Sequence, residues 1–186
     1  MKRFIDLFLC IIALAILLMP IILIAVLVRC SSKGPAIYWS KRVGLNNIIF
    51  LMPKFRTMKI NMPAIATHLV ENSDDCLTST GGLLRRFSLD ELPQLYSILR
   101  GEMSFVGPRP ALFNQDDLIS LRKQKGIDKL IPGVTGWAQI NGRDSISLPE
   151  KVNLDLEYLN KQSIIFDLLI IKSTILKVIG KNDISH

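Results

Sequence analysis

The segment Phe4–Val28, FIDLFLCIIALAILLMPIILIAVLV, holds one charge, Asp6, in 25 residues. About 20 apolar residues suffice to cross a bilayer, so this stretch makes the chain a membrane protein. No small-residue cleavage site comes after it, and its apolar core is too long for a signal peptide. Two features disturb a straight span. Pro20 removes a helix hydrogen bond and crowds the preceding turn, dividing the run into arms of about 16 and 8 residues, roughly 24 and 12 Å of helix. Neither arm alone crosses a hydrocarbon core of about 30 Å. The second feature is charge. Lys2 and Arg3 precede the segment, while Arg29, Lys33, Lys41 and Arg42 lie beyond it. The positive-inside rule then places both flanks in the cytoplasm. A helix that enters, kinks at Pro20 and returns satisfies both features. A kinked spanning anchor is the alternative these residues leave open.

Outward from this segment, the polar break Ser31-Ser32-Lys33-Gly34-Pro35 sets a boundary near residue 30. Residues 1–30 are expected in the membrane and 31–186 in one cytoplasmic domain, long enough for a single core. The net charge of +7 allows nucleic acid, anionic lipid or phosphorylated small molecules as partners. A hydrophobic fraction of 49%, with apolar tracts at both ends, argues against nucleic acid. Cys10, Cys30 and Cys76 lack metal or redox spacing, and His68 and His186 are the only histidines. These counts argue against a zinc site or a histidine-based triad.

Past the boundary, AIYWSKRVG and NIIFLMPKFRTM read as two short strands around a Gly44–Asn47 turn. Lys54 and Arg56 lie two apart, on one face of such a strand. Near the other end, Pro149 opens a helix through Asn160. Ser163–Ile179 is strongly apolar but carries Asp167, Lys172 and Lys177. At 17 residues it is too short and too charged for a good span. It fits an amphipathic helix in the headgroup layer, with a buried core helix as the alternative. Phe113–Lys125 reads as an amphipathic surface helix.

The chemistry concentrates in Arg85–Pro110, RRFSLDELPQLYSILRGEMSFVGPRP. Adjacent carboxylates, Asp90 and Glu91, stand between Arg85-Arg86 and Gly-Pro-Arg-Pro. Ser88 followed by Glu91 fits a capping box opening a helix from Leu89 to about Arg100, with Leu92, Leu95, Tyr96 and Leu99 at core spacing. On that reading the acids only satisfy the helix dipole. The downstream loop adds more. Gly107 permits close approach, and Pro108 and Pro110 stiffen the backbone around Arg109. A guanidinium so held is preorganised for phosphate, and a carboxylate at a helix N-terminus among cations is expected to stay ionised.

SLDELPQL, MSFVGPRP, PGVTGWAQINGR (132–143), KFRTM (54–58) and the kinked apolar N-terminus together span nearly the whole chain. They closely resemble the bacterial sugar transferase family, the monotopic phosphoglycosyl transferases, in residues and in order. The resemblance implies an α+β, mostly helical fold. It favours a re-entrant membrane helix over a span, with a small cytoplasmic domain containing a short β-hairpin and interfacial amphipathic helices. It implies transfer of a sugar 1-phosphate from a UDP-sugar to polyprenyl (undecaprenyl) phosphate, with Mg2+, on the cytoplasmic face of the bacterial inner membrane among membrane lipids. By match to the motifs, Asp90 is the nucleophile that carries a covalent phosphosugar and, with Glu91, the metal site. Arg109 binds phosphate, Arg85 pairs with Asp90, Ser88 supports the dyad, and Lys54 and Arg143 are substrate-pocket cations. The hairpin departs from the pattern: Ser40-Lys41-Arg42 lacks a Gln that many members have, and Leu45-Asn46-Asn47 lacks an expected Gly. A non-catalytic scaffold that binds lipid phosphate is the alternative, and the complete Asp90–Glu91–Arg109 set argues against it.

Overall fold

The structure, a computed structural model, describes residues 1–60, 76–142 and 146–180. The architecture is α+β and mostly helical. Helix α1 (Lys2–Ser31) carries the apolar segment, and Pro20 lies inside it without ending it. The helix continues past Pro20, which withdraws its N–H from the Ile16 carbonyl at the point where the sequence places a kink. At 30 residues α1 is about 45 Å long. Among the described residues it is the one helix long and apolar enough to cross a membrane.

Strands β1 (Ile37–Val43) and β2 (Ile49–Phe55) pair antiparallel from Ile37↔Phe55 to Val43↔Ile49, as the sequence predicts. The missing turn glycine is replaced by Asn46 and Asn47, with φ of 52° and 60°, a region Asn tolerates better than most residues. Helix α2 (Gly81–Arg86), a 3-10 turn (Leu89–Gln94) and α3 (Leu95–Arg100) come after the hairpin. Next are β3 (Ser104–Val106), α4 (Asp116–Gln124) and β4 (Gly133–Thr135), with β4 parallel to β3. Helices α5 (Trp137–Ile140), α6 (Leu148–Lys161) and α7 (Ile164–Gly180) complete the domain. Ser147 caps α6 by accepting from Glu150 N, a device typically worth about 1 kcal/mol.

Three apolar clusters hold these pieces together. One joins β3, α4, α6 and α7 around Val106, Leu118, Val152, Tyr158 and Ile170. Another packs Phe50, Met52, Leu95, Ile98 and Met103 against Cys10 of α1. The third sets Phe55 and Leu84 against Val28. Helix α1 therefore packs on the domain along its length, and polar contacts secure both ends. Lys2 pairs with Asp167. Arg3 donates to the carbonyls of Ile98 and Leu99, the negative end of α3. At the other end Ser31 Oγ meets Thr80 Oγ1 at 3.0 Å. Asp6, the single charge of the apolar run, is buried and accepts from Ser104 Oγ (3.0 Å) and Phe105 N (3.1 Å). The opposite face of α1 exposes Phe4, Phe8, Ile11, Ile16, Met19, Leu23 and Val26.

Helix α7 is arranged the same way: Asp167 and Ile170 point inward, while Ile165, Leu168, Leu169, Ile175 and Leu176 are exposed. Its Asp167 serves the domain through Lys2 and Tyr158, and its large apolar side chains face outward. Replacing Asp6 by Ala strands two donors, at a cost of about 2–3 kcal/mol. We expect the loss as a lower unfolding midpoint in a fixed detergent, while Phe8→Ala on the exposed face leaves the midpoint unchanged.

Candidate active site

The stretch from Arg85 to Pro110 does not form the capped helix expected of it. Ser88 adopts φ 54° and makes no side-chain cap, and residues 89–94 form a 3-10 turn before α3 begins at Leu95. Pro93 explains the change. In an α-helix from Leu89 it would lack the N–H owed to the Leu89 carbonyl and its ring would crowd that group. Tighter i→i+3 bonding, as in Glu91 N to Ser88 O at 3.2 Å, eases the crowding of that carbonyl. Ser88 thus supports the dyad through its backbone, reversing the chain between α2 and the turn. The change of pitch also rotates the core face: Leu95 and Ile98 are buried, whereas Tyr96 and Leu99 are exposed.

The turn delivers both carboxylates to β2. Lys54, on the same strand face as Phe50 and Met52, places Nζ 2.8 Å from Glu91 Oε1 and 3.9 Å from Asp90 Oδ2. Arg109 Nη2 reaches the same Glu91 oxygen at 2.8 Å. Arg85, at the end of α2, donates through Nε to Thr57 Oγ1 at 3.0 Å, and its charge favours ionised Asp90. The expected pairing of Arg85 with Asp90 is therefore electrostatic, with its hydrogen bond going to Thr57. Arg143 and His68 lie outside the described residues.

The pKa values of the two acids are shifted in opposite directions. Burial alone would raise the pKa of Glu91, but Arg109 and Lys54, by charge and by hydrogen bond, hold it well below the usual carboxylate range. Asp90 is pushed up: burial dominates, Lys54 opposes it and ionised Glu91 adds to it. Burial and Glu91 oppose the ionised form of Asp90, while Lys54, Arg109 and Arg85 favour it, as the sequence leads one to expect of cations placed there. A carboxylate with a raised pKa is more basic, hence the better nucleophile once deprotonated. Separating the pKa values of two neighbouring acids is how such sites assign distinct roles.

The donor set also bears on metal. Among the described residues no three His, Cys, Asp or Glu side chains cluster, so there is no closed protein cage. Two adjacent carboxylates fit Mg2+, which commonly takes one or two carboxylates and completes its shell with substrate phosphates and water.

Sequence reasoning missed the groups behind the Arg109 loop. Arg122 of α4 and Asp155 of α6 form a buried pair at 2.6 Å, so α4 is not merely a surface helix. The signal was present: Arg122 comes four residues after Leu118, and Asp155 three after Val152, each a charge inside an apolar stripe. The loop's glycines have a mutual reason. A Cβ on Gly107 would stand 2.3 Å from Ile131 O, and one on Gly133 would stand 2.1 Å from Gly107 N. The GPRP and PGVTG motifs interlock backbone to backbone.

The family model described as bacterial sugar transferase matches residues 1–181. Sugar transferase EpsL of Bacillus subtilis is 38% identical over 186 residues, covering 100% of this chain and 91% of the relative. Exopolysaccharide production protein ExoY of Rhizobium meliloti is 38% identical, covering 94% of this chain and 83% of the relative. The UDP-glucose:undecaprenyl-phosphate glucose-1-phosphate transferase of Escherichia coli is 38% identical, covering 95% of this chain but 40% of the relative.

Proposed function

Since the chain belongs to the bacterial sugar transferase family, we propose that it transfers a sugar 1-phosphate from a UDP-sugar to undecaprenyl phosphate through a phosphosugar ester on Asp90. The observation that carries the reading is the division within the dyad: Glu91 is fixed by Lys54 and Arg109, while Asp90 beside it is buried, more basic and within 3.9 Å of a cation.

The chemistry balances as two displacements at one phosphorus. An Asp90 carboxylate oxygen attacks the sugar-bearing phosphorus, and the bond to the bridging oxygen breaks. UMP leaves with the electron pair. A phosphate oxygen of undecaprenyl phosphate then attacks the same phosphorus and returns Asp90 as a carboxylate. Arg109 and Lys54 offset the charge that gathers on the phosphoryl oxygens, in a site where water is largely excluded. Asp90 and Glu91 would hold Mg2+, which when bound neutralises diphosphate charge.

The placement of α1 supports a membrane reading of the same kind. Both ends of the helix are secured to one domain, so we place both on the cytoplasmic face with the apolar outer stripe in lipid, the helix entering and returning about Pro20. Catalysis then takes place at the depth of the lipid headgroups.

The test uses purified full-length protein, Mg2+ and a panel of UDP-sugars without acceptor. The expected result is UMP release of at most one equivalent and a phosphosugar mass adduct on the peptide containing Asp90. UMP release that continues without acceptor and leaves no adduct would replace this scheme with direct hydrolysis or transfer.

A further inference from the structure

The backbone of the Arg109 loop is tied at each residue from Gly107 to Ala111. Gly107 N donates to Thr135 O at 2.9 Å, and Gly133 N to Pro108 O at 3.0 Å. Arg122 Nη1 donates to Arg109 O at 2.8 Å, Arg42 Nη1 to Pro110 O at 3.2 Å, and Val43 N to Ala111 O at 2.9 Å. Three of these donors are main-chain amides. The bond at Arg109 itself comes from a charged side chain only 8% exposed.

Arg122 is itself clamped. Its Nε and Nη2 both donate to Asp155 Oδ2, at 3.0 and 2.6 Å, and Asp155 is 1% exposed. A pair that served only to join α4 and α6 would be complete with those two bonds. The third nitrogen is used on the carbonyl of the one residue in the loop whose side chain reaches Glu91. Buried ion pairs are weak sources of net stability and are better attested as devices that fix one arrangement. Lysine could not replace this arrangement, because a single ammonium lacks the planar fork that bonds a carboxylate on one edge and a carbonyl on another.

We propose that Arg122, clamped by Asp155, is a positioning residue: it fixes the Arg109 backbone so that the Arg109 guanidinium is presented to the diphosphate of the donor. This rests on the role given to Arg109 above. The link runs from α6 through α4 to the loop and ends at the dyad. It acts on donor binding and on the first displacement, without touching substrate.

Arg122→Lys keeps a charge for Asp155 but lacks the fork. Turnover is measured with undecaprenyl phosphate and the UDP-sugar that wild-type protein uses best, alongside the unfolding midpoint. We expect a midpoint within a few degrees of wild type and kcat/KM for the donor lower by about tenfold, a factor that corresponds to about 1.4 kcal/mol. In an Arg109→Met background the same substitution should cost almost nothing further, since nothing remains to be aimed. Wild-type kcat/KM in Arg122→Lys would overturn the proposal. So would a tenfold loss repeated in the Arg109→Met background, which is the signature of general structural damage. If Arg122→Lys does not fold, Asp155→Asn in the same two backgrounds is read by the same criteria. If Arg109→Met alone costs nothing, the reading of Arg109 fails and this inference fails with it, whereas an additive cycle removes only the inference.

Discussion

Asp90→Asn is expected to abolish transfer, with turnover reduced by at least about four orders of magnitude, while the protein becomes no less stable. The loss is a matter of chemistry: an amide does not displace UMP, so neither adduct nor product forms. The stability result comes from the site. Asp90 is buried and its pKa is raised. A group whose folded pKa exceeds its unfolded value contributes its full stability only below the unfolded pKa, and loses it as pH rises through the folded one. At neutral pH the ionised Asp90 is therefore a net cost, and neutral Asn removes it. The checks are product formation with undecaprenyl phosphate and an unfolding midpoint equal to or above wild type. Catalytic groups held against the folding preference commonly show this trade-off. A variant that still carries the phosphosugar adduct would move the nucleophile elsewhere.

Lys54→Met is expected to lower kcat by about 10²–10³, the range seen on removing one preorganised charge donor, and to change the pH dependence in a defined direction. Lys54 opposes the burial that raises Asp90. Without it Asp90 stays protonated to a higher pH, so the acidic limb of the rate profile moves upward. Glu91 responds as well. Its folded pKa is depressed, so its contribution to stability is present above the unfolded pKa and is lost as pH falls through the folded one. With Lys54 gone the depression shrinks, because only Arg109 still donates to that oxygen. The stability that Glu91 contributes at neutral pH falls for this reason, a loss that narrows on acidification and is offset in part by removing the Lys54 ammonium, whose own pKa is lowered by burial. Rate profiles and unfolding midpoints between about pH 4 and 8 test both statements. An acidic limb that stays in place would remove Lys54 from the control of Asp90.

The long apolar helix, the hairpin and the approach of Arg109 to the Asp90–Glu91 turn were legible because each rests on local pattern: an apolar run, alternation around a turn, and a stiffened arginine beside adjacent acids. The pitch of residues 89–94 was not. Ser88 and Glu91 have capping-box spacing, and only the clash of Pro93 with the Leu89 carbonyl decides for the tighter turn. Nor was the weight of Lys54 legible from its own surroundings. A lysine paired with Arg56 on one strand face reads as a solvated charge, and its meaning comes from the turn that brings the distant Asp90 and Glu91 to it. The Arg122–Asp155 pair is the intermediate case. Each charge sits visibly out of place in an apolar stripe, but that one explains the other depends on the packing of α4 against α6.

Asp6 joins two parts of the molecule that answer to different surroundings. Its carboxylate hangs from the lipid-facing helix and ends on the strand that leads directly into Gly107. With Arg3 at one end of α1 and Ser31 at the other, helix and catalytic loop share a single keel. On the membrane reading proposed above, the apolar flanks of α1 and α7 would set the draught of this keel in the bilayer. A thicker or thinner bilayer would then raise or lower the whole hull, and the contact between Glu91 and Arg109 would go with it unaltered.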